Sequence, residues 1–239
     1  MPKIQYAKKR IVIEDSETFN NLVTTYNLEV NQGIVLLSKE NAQIIDRLIK
    51  EDDDYFPFSK HLFDYFGLDK IRCNEDRALF ALLREIDRDN STNVWRYKKN
   101  RNSFYNIIDY IVNPDNRFFD RLREGDNTLP DEIVTECGDG LRSLSSKICK
   151  YLCEFAYNRD NYYINDSFIR HILLFYLDYY KVEHPDLSSC RDVNALSYQD
   201  LYNWLAKLHR QRDEKYGDTI TKNELDHILW YCYKSFDLY

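Results

Sequence analysis

Lys147 and Asp166 are the two side chains whose types and placement carry a chemical reading. An amine held out of water is pushed toward its neutral form, because desolvation penalises the ammonium. A neutral amine is a nucleophile that can form a Schiff base with a sugar or carbonyl carbon. An aspartate at a helix start is rigid and ionised, and it stabilises a cation developing beside it. Other combinations fall short of a site. Cys149 and Cys153 stand one helical turn apart, but their helix holds no histidine to extend a metal set, so they read as buried thiols. His61, His171, His184, His209 and His227 are scattered, and none pairs with a glutamate at H-E-x-x-H spacing. No phosphate-cradling G-x-x-x-x-G-K-[ST] occurs. Nucleotide hydrolysis is therefore disfavoured, and neither a metal nor a cofactor is expected.

The elements that must position the pair lie within Leu129 to Leu177. Leu141, Leu144, Ile148, Leu152 and Phe155 repeat at helical spacing. At about 100° per residue Lys147 flanks that stripe and Lys150 falls opposite it, so the spacing predicts Lys147 at the edge of the core and Lys150 in solvent. After an irregular link, Asp166 precedes Phe168, Ile169, Ile172, Leu173, Tyr176 and Leu177, an amphipathic helix that it is placed to cap. The plain structural reading is a lysine whose stem covers apolar surface and a cap with no further duty.

The remainder reads as scaffold. Lys8 to Ile13 suits a short strand or arm. Asp15 and Ser16 can cap a helix carrying Phe19, Leu22, Val23 and Tyr26, and Ser38 one carrying Ala42, Ile45, Leu48 and Ile49. Ser59 to Phe66 forms a short aromatic helix stopped by Gly67. Asn74 caps a helix burying Ala78, Leu79, Leu82, Leu83 and Ile86. Trp95 to Arg101, basic and aromatic, leads into Phe104, Ile107, Ile108 and Ile111 before Pro114. Phe118 to Leu122 makes a short piece that closes at Gly125. Lys181 to Leu196 reads as a surface loop. Ser197 opens a helix with Leu201, Trp204, Leu205 and Leu208 inward and Lys207, Arg210 and Arg212 outward. Thr221 and Glu224 form a capping box for a last helix burying Leu225, Ile228, Leu229 and Trp230.

Composition bounds the class. The 239 residues are 44% hydrophobic and 31% charged, with 20 Tyr and 13 Phe, which excludes disorder. Only 6 Gly and 5 Pro argue for long helices over a turn-rich sandwich. The expectation is an all-α fold, one helical domain over residues 1–239 with two lobes, about 1–115 and 116–239, on a continuous core. The six Cys form no C-x-x-C pair and no apolar leader opens the chain; reduced thiols in the cytoplasm are expected. No run approaches the roughly 20 apolar residues of a spanning helix. A net charge of −7 opposes bulk adhesion to nucleic acid. Local basic clusters remain at Arg96 to Arg101, Arg142 to Lys150 and Lys207 to Arg212, against an acidic run at Glu51 to Asp54.

The order Gly138-Asp139-Gly140, Ser145-Ser146-Lys147 and Tyr163-Ile164-Asn165-Asp166-Ser167-Phe168-Ile169-Arg170 resembles the hairpin and following helix of the helix-hairpin-helix DNA glycosylase superfamily. The Lys147 to Asp166 spacing is similar to that of its 8-oxoguanine DNA glycosylase branch. The family hairpin reads L-P-G-V-G, with the second glycine almost against the lysine. Here Leu144, Ser145 and Ser146 take those places, and Phe168 stands where the family has a histidine. The resemblance implies a cleft between two helical lobes into which a base is flipped. It implies Lys147 as the nucleophile at the sugar and Asp166 as the stabilising carboxylate. It also implies DNA contacts through Gly138, Gly140, Arg142, Ser145, Ser146 and Arg170. No C-x₂-C group is present for the iron-sulfur cluster of some relatives. Two other readings stay open: a related scaffold that binds nucleic acid without cleaving it, and a helical protein-interaction module.

Overall fold

A computed structural model describes residues 2–6, 9–13, 16–51, 58–89, 92, 94–97, 100–187 and 189–238. The expected cap Asp15, Lys8, residues 52–54 of the acidic run, and Lys98 and Lys99 of the basic cluster lie outside the described residues. In chain order the elements are β1 (Lys3–Gln5), β2 (Arg10–Ile11), α1 (Glu17–Tyr26), β3 (Val30–Asn31), β4 (Ile34–Val35), α2 (Lys39–Glu51), α3 (Phe58–Phe66), α4 (Leu68–Arg72), α5 (Ala78–Asp89), α6 (Arg101–Val112), α7 (Phe118–Glu124), α8 (Leu129–Cys137), α9 (Arg142–Tyr157), α10 (Ser167–Tyr179), α11 (Cys190–Ala195), α12 (Tyr198–Tyr216), α13 (Lys222–Tyr231) and β5 (Asp237–Leu238). The fold is all-α, with strands of only two or three residues. No helix among the described residues is long and apolar enough to cross a membrane.

The chain divides into two compact units, residues 1–52 with 166–239, and residues 53–165. This differs from the expected boundary near 115, which falls in the short link between α6 and α7, within the second unit. The reason is packing: α6 lies against α7 and α8, and α5 against α9, so helices on both sides of position 115 share one core.

In the first unit α13 packs on α2, and α10 packs on α11, α12 and α13. β1 pairs antiparallel with β2 and parallel with β5, which brings the two ends of the chain together (Ile4 opposite Leu238). Ser16 Oγ accepts the Phe19 N–H at 3.1 Å, as its position before α1 predicts. Between β3 and β4 the chain turns at Gln32 and Gly33, with φ of 50° and 81°. That pair of positive angles matches the twist of a two-residue hairpin. Beyond β3, β4 pairs with no other strand among the described residues, and phenols take that side: Tyr233 Oη accepts the Val35 N–H at 2.9 Å, Tyr176 donates to the Val35 carbonyl at 2.8 Å, and Tyr180 Oη accepts the Leu37 N–H at 3.0 Å. Burial drives the Tyr176 pKa upward and keeps the hydroxyl protonated for that donation.

Two expectations for this unit change. The segment 181–196 contains α11, opened by a capping box in which Ser189 and Asp192 bond each other's backbone. Arg212, expected on the outer face of α12, is fully buried; it donates to the Leu37 carbonyl at 2.6 Å and the Asp218 carbonyl at 2.8 Å, and pairs with Asp213. Helical periodicity sees α12 alone, and cannot see those carbonyls arriving from other segments.

In the second unit α3, α4 and α9 pack around α5, while α8 lies against α6, α7 and α9. Gly67 ends α3 and Gly125 ends α7, both at positive φ, and α6 stops before Pro114. Asn74 caps α5 from a distance, accepting the Phe80 N–H at 3.1 Å. Tyr162 reaches the end of α7, donating to the Asp126 carbonyl at 3.2 Å.

Candidate functional site

The second unit supplies Lys147. α8 ends at Gly138, whose φ of 137° and ψ of 147° lie where residues with a Cβ are strained. A 3-10 turn over Asp139–Leu141 then feeds α9. In α9 the stripe Leu144, Ile148 and Leu152 is buried as its spacing predicts. Lys147 is only 6% exposed, deeper than an edge position.

Lys150 departs from expectation. It is 3% exposed, and its amine donates to Asp160 Oδ1 and to the Tyr162 carbonyl, each at 3.3 Å. The irregular link after α9 folds back along the face that periodicity leaves to water. Such a link carries polar backbone, which the buried ammonium satisfies.

The same link fixes Asn165. Its N–H donates to Ser146 Oγ at 2.9 Å, and Ser146 in turn donates to the Ser143 carbonyl at 3.0 Å. Ser145 donates to the Arg142 carbonyl at 3.1 Å. Both serines are buried, so the phosphate role that the resemblance implies for them is corrected: their hydroxyls serve helix and link. Asn165 is itself buried, and its Oδ1 has no hydrogen-bond partner among the described residues. An amide oxygen in that state costs about 1–3 kcal/mol unless a ligand or water donates to it. No spacing rule singles out this residue; its interest comes from the link that buries it beside the neighbour of Lys147.

The other implied DNA contacts differ among themselves. Gly140 is exposed with open space where a Cβ would stand, whereas a Cβ on Gly138 would come within 2.7 Å of Ser103 Oγ. Arg142, half-buried, opens the first turn of α9.

The first unit supplies Asp166 as its first residue after the link. It is the N-cap of α10, with Oδ1 accepting the Ile169 N–H at 2.9 Å, as its place before the apolar run predicts. Arg170 is buried and donates to the Asn194 carbonyl at 2.8 Å and to the Asp166 carbonyl at 3.4 Å. Its implied contact with DNA is likewise corrected: the guanidinium ties α10 to the end of α11. His171 is buried beside it, and desolvation, then the Arg170 charge, lowers its pKa, which favours the neutral ring.

The cysteine pair follows its structural reading. Cys149 and Cys153 are buried and burial raises both thiol pKa values, so neither is a ready thiolate. No cluster of three metal-binding side chains occurs among the described residues. A polar groove between α6 and α8, lined by Asn106, Asp109, Asn113, Glu132 and Glu136, is acidic and would repel phosphate. Comparison with protein-family models, with curated proteins and with solved structures gives no match to this chain.

Proposed function

We propose that the chain is a DNA glycosylase that removes a damaged or modified base and forms a Schiff base through Lys147. The carrying observation is a lysine buried to 6% exposure on α9, next in sequence to Ser146, whose hydroxyl anchors Asn165 at 2.9 Å. A buried amide oxygen that no described residue satisfies, anchored through the neighbour of Lys147, suits a polar ligand. Asp166 follows directly, a carboxylate already held rigid as a cap.

In this reading the Lys147 amine, once deprotonated, attacks the anomeric carbon as the bond to the base breaks. The base leaves with the electron pair and takes up a proton. The bond from that carbon to the ring oxygen then opens, the oxygen taking a proton from solvent, and leaves the protonated imine; stabilising the positive charge on the sugar is the role that the resemblance implies for Asp166. Asn165 Oδ1 accepts a hydrogen bond from the nucleotide or the amine. The inward turn of Ser145, Ser146 and Arg170 leaves phosphate contacts to Gly140, Arg142 and backbone amides of the turn.

The test is reductive trapping. Borohydride should convert the imine to a secondary amine and so cross-link the protein to abasic or damaged duplex DNA. Lys147→Ala should abolish the cross-link, and Asp166→Asn, which can still cap α10, should lower its initial rate of formation at least tenfold, about 1.4 kcal/mol of transition-state stabilisation. Trapping by Lys147→Ala at the native level would end the reading.

A further inference from the structure

A second charged surface lies in the second unit, on α5, α6 and the loop joining them. Its organiser is Asp87, a buried aspartate near the end of α5. One carboxylate oxygen accepts the Val94 N–H at 2.9 Å and the Thr92 hydroxyl, and the other accepts the Trp95 N–H at 3.0 Å. Thr92, Val94 and Trp95 are thereby tied to α5, and Trp95 is set edge-on to Phe80, Phe104 and Tyr105, with ring centroids 5.1, 5.3 and 5.7 Å away.

Two guanidinium groups rest on that indole. Arg84 from α5 lies 5.4 Å from the ring centroid and Arg101 from α6 lies 5.1 Å from it. Among the described residues neither has a carboxylate at ion-pair distance, whereas nearby Arg88 is neutralised by Glu85 at 2.5 Å and Asp89 at 3.6 Å. A guanidinium held by its face keeps most of its in-plane N–H donors for another partner. Arg96 and Tyr97 on the loop and Tyr105 on α6 are exposed around the pair.

In a chain of net charge −7, two arginines that rest on one tryptophan, with no described carboxylate at ion-pair distance, concentrate positive charge locally. Planar forks match phosphate oxygens in pairs, and the exposed tyrosine hydroxyls among them can donate to neighbouring phosphate oxygens. We infer that Arg84 and Arg101, oriented by Trp95, grip the phosphodiester backbone of duplex DNA. This surface does not use Lys147 or Asp166 and stands apart from the glycosylase reading.

The experiment is fluorescence anisotropy of a labelled duplex titrated with the 239-residue chain at several salt concentrations. The double variant Arg84→Gln/Arg101→Gln should bind about tenfold more weakly near physiological salt, with the slope of log K against log salt reduced by about 2. Its helical circular dichroism should match the parent, because both side chains are exposed. Trp95→Phe, which keeps an aromatic ring under the arginines, should fall between parent and double variant. Unchanged affinity and slope in the double variant would overturn the assignment, as would no binding by the parent. Displacement of the duplex by polyglutamate as effective as by unlabelled duplex would also overturn it, since the surface would then read charge alone. Binding that depends on the arginines without borohydride trapping would keep this surface and end the glycosylase reading.

Discussion

Lys147 and Lys150 stand one turn apart on α9, both buried, and the proposed chemistry is given to the first alone. The Lys150 amine is committed to Asp160 and the Tyr162 carbonyl. Lys150→Met keeps the stem and removes the donor, stranding that carbonyl and a carboxylate that is 31% exposed. Loss of one partner of such a pair should cost on the order of 1–3 kcal/mol in urea unfolding, the lower part of the buried range because Asp160 still reaches water. Borohydride trapping should survive in Lys150→Met. A folded Lys150→Met that no longer traps would transfer the nucleophile to Lys150. The sequence made the candidate pair legible, since apolar spacing put Lys147 beside the stripe and an aspartate before an apolar run is a cap on chemical grounds. It could not separate the two lysines, because what buries Lys150 is an irregular link with no period. Asn165 and Arg212 were hidden for the same reason: their burial is decided by backbone that arrives from elsewhere.

At the scale of elements, the turn between α8 and α9 is shaped by Gly138 and Gly140. Its two glycines are not equivalent. Gly138 has φ of 137° and faces Ser103, while nothing lies within 4 Å of a Cβ built on Gly140. Gly138→Ala should therefore destabilise the protein by about 1–3 kcal/mol through strained backbone and contact with Ser103. Gly140→Ala should be neutral or stabilise by up to about 1 kcal/mol, because the unfolded chain loses freedom and the folded one loses nothing. Denaturant midpoints of the two variants, measured at equal m-value, check this, and equal costs would contradict the described turn. If Gly140 is the approach point for phosphate, its alanine variant should also weaken duplex binding while remaining fully folded. Helix ends of this kind were readable wherever a side chain or glycine marks them, as at Ser16, Gly67, Gly125 and Thr221. Helix α11 is not legible although Ser189 and Asp192 spell a capping box, because six residues carry too few apolar positions to declare a period.

For the whole molecule, the division of the chain is the feature least visible in sequence. Residues 53–165 form one unit from a continuous segment, while the other unit is assembled from residues 1–52 and 166–239. Length and composition set only the class, because the same helices can be apportioned along the chain in several ways. What decides is which stripes meet: α2 finds α13, and β1 finds β5, across more than half the chain. A domain needs its own core to fold alone, and α3 to α9 bury Ile71, Leu79, Leu82, Phe104, Ile107, Ile133, Leu144 and Ile148 completely or nearly so. The isolated segment 53–165 should therefore keep its helical circular dichroism and unfold in one cooperative transition on heating. The segment 1–115 should not, since it parts α2 from α13 and α5 from α9. Cooperative unfolding of 1–115 together with a disordered 53–165 would restore the boundary that composition alone suggested. A folded 53–165 that also binds duplex DNA, with Lys147, Arg84 and Arg101 present and Asp166 absent, would separate DNA binding from catalysis on a single fragment.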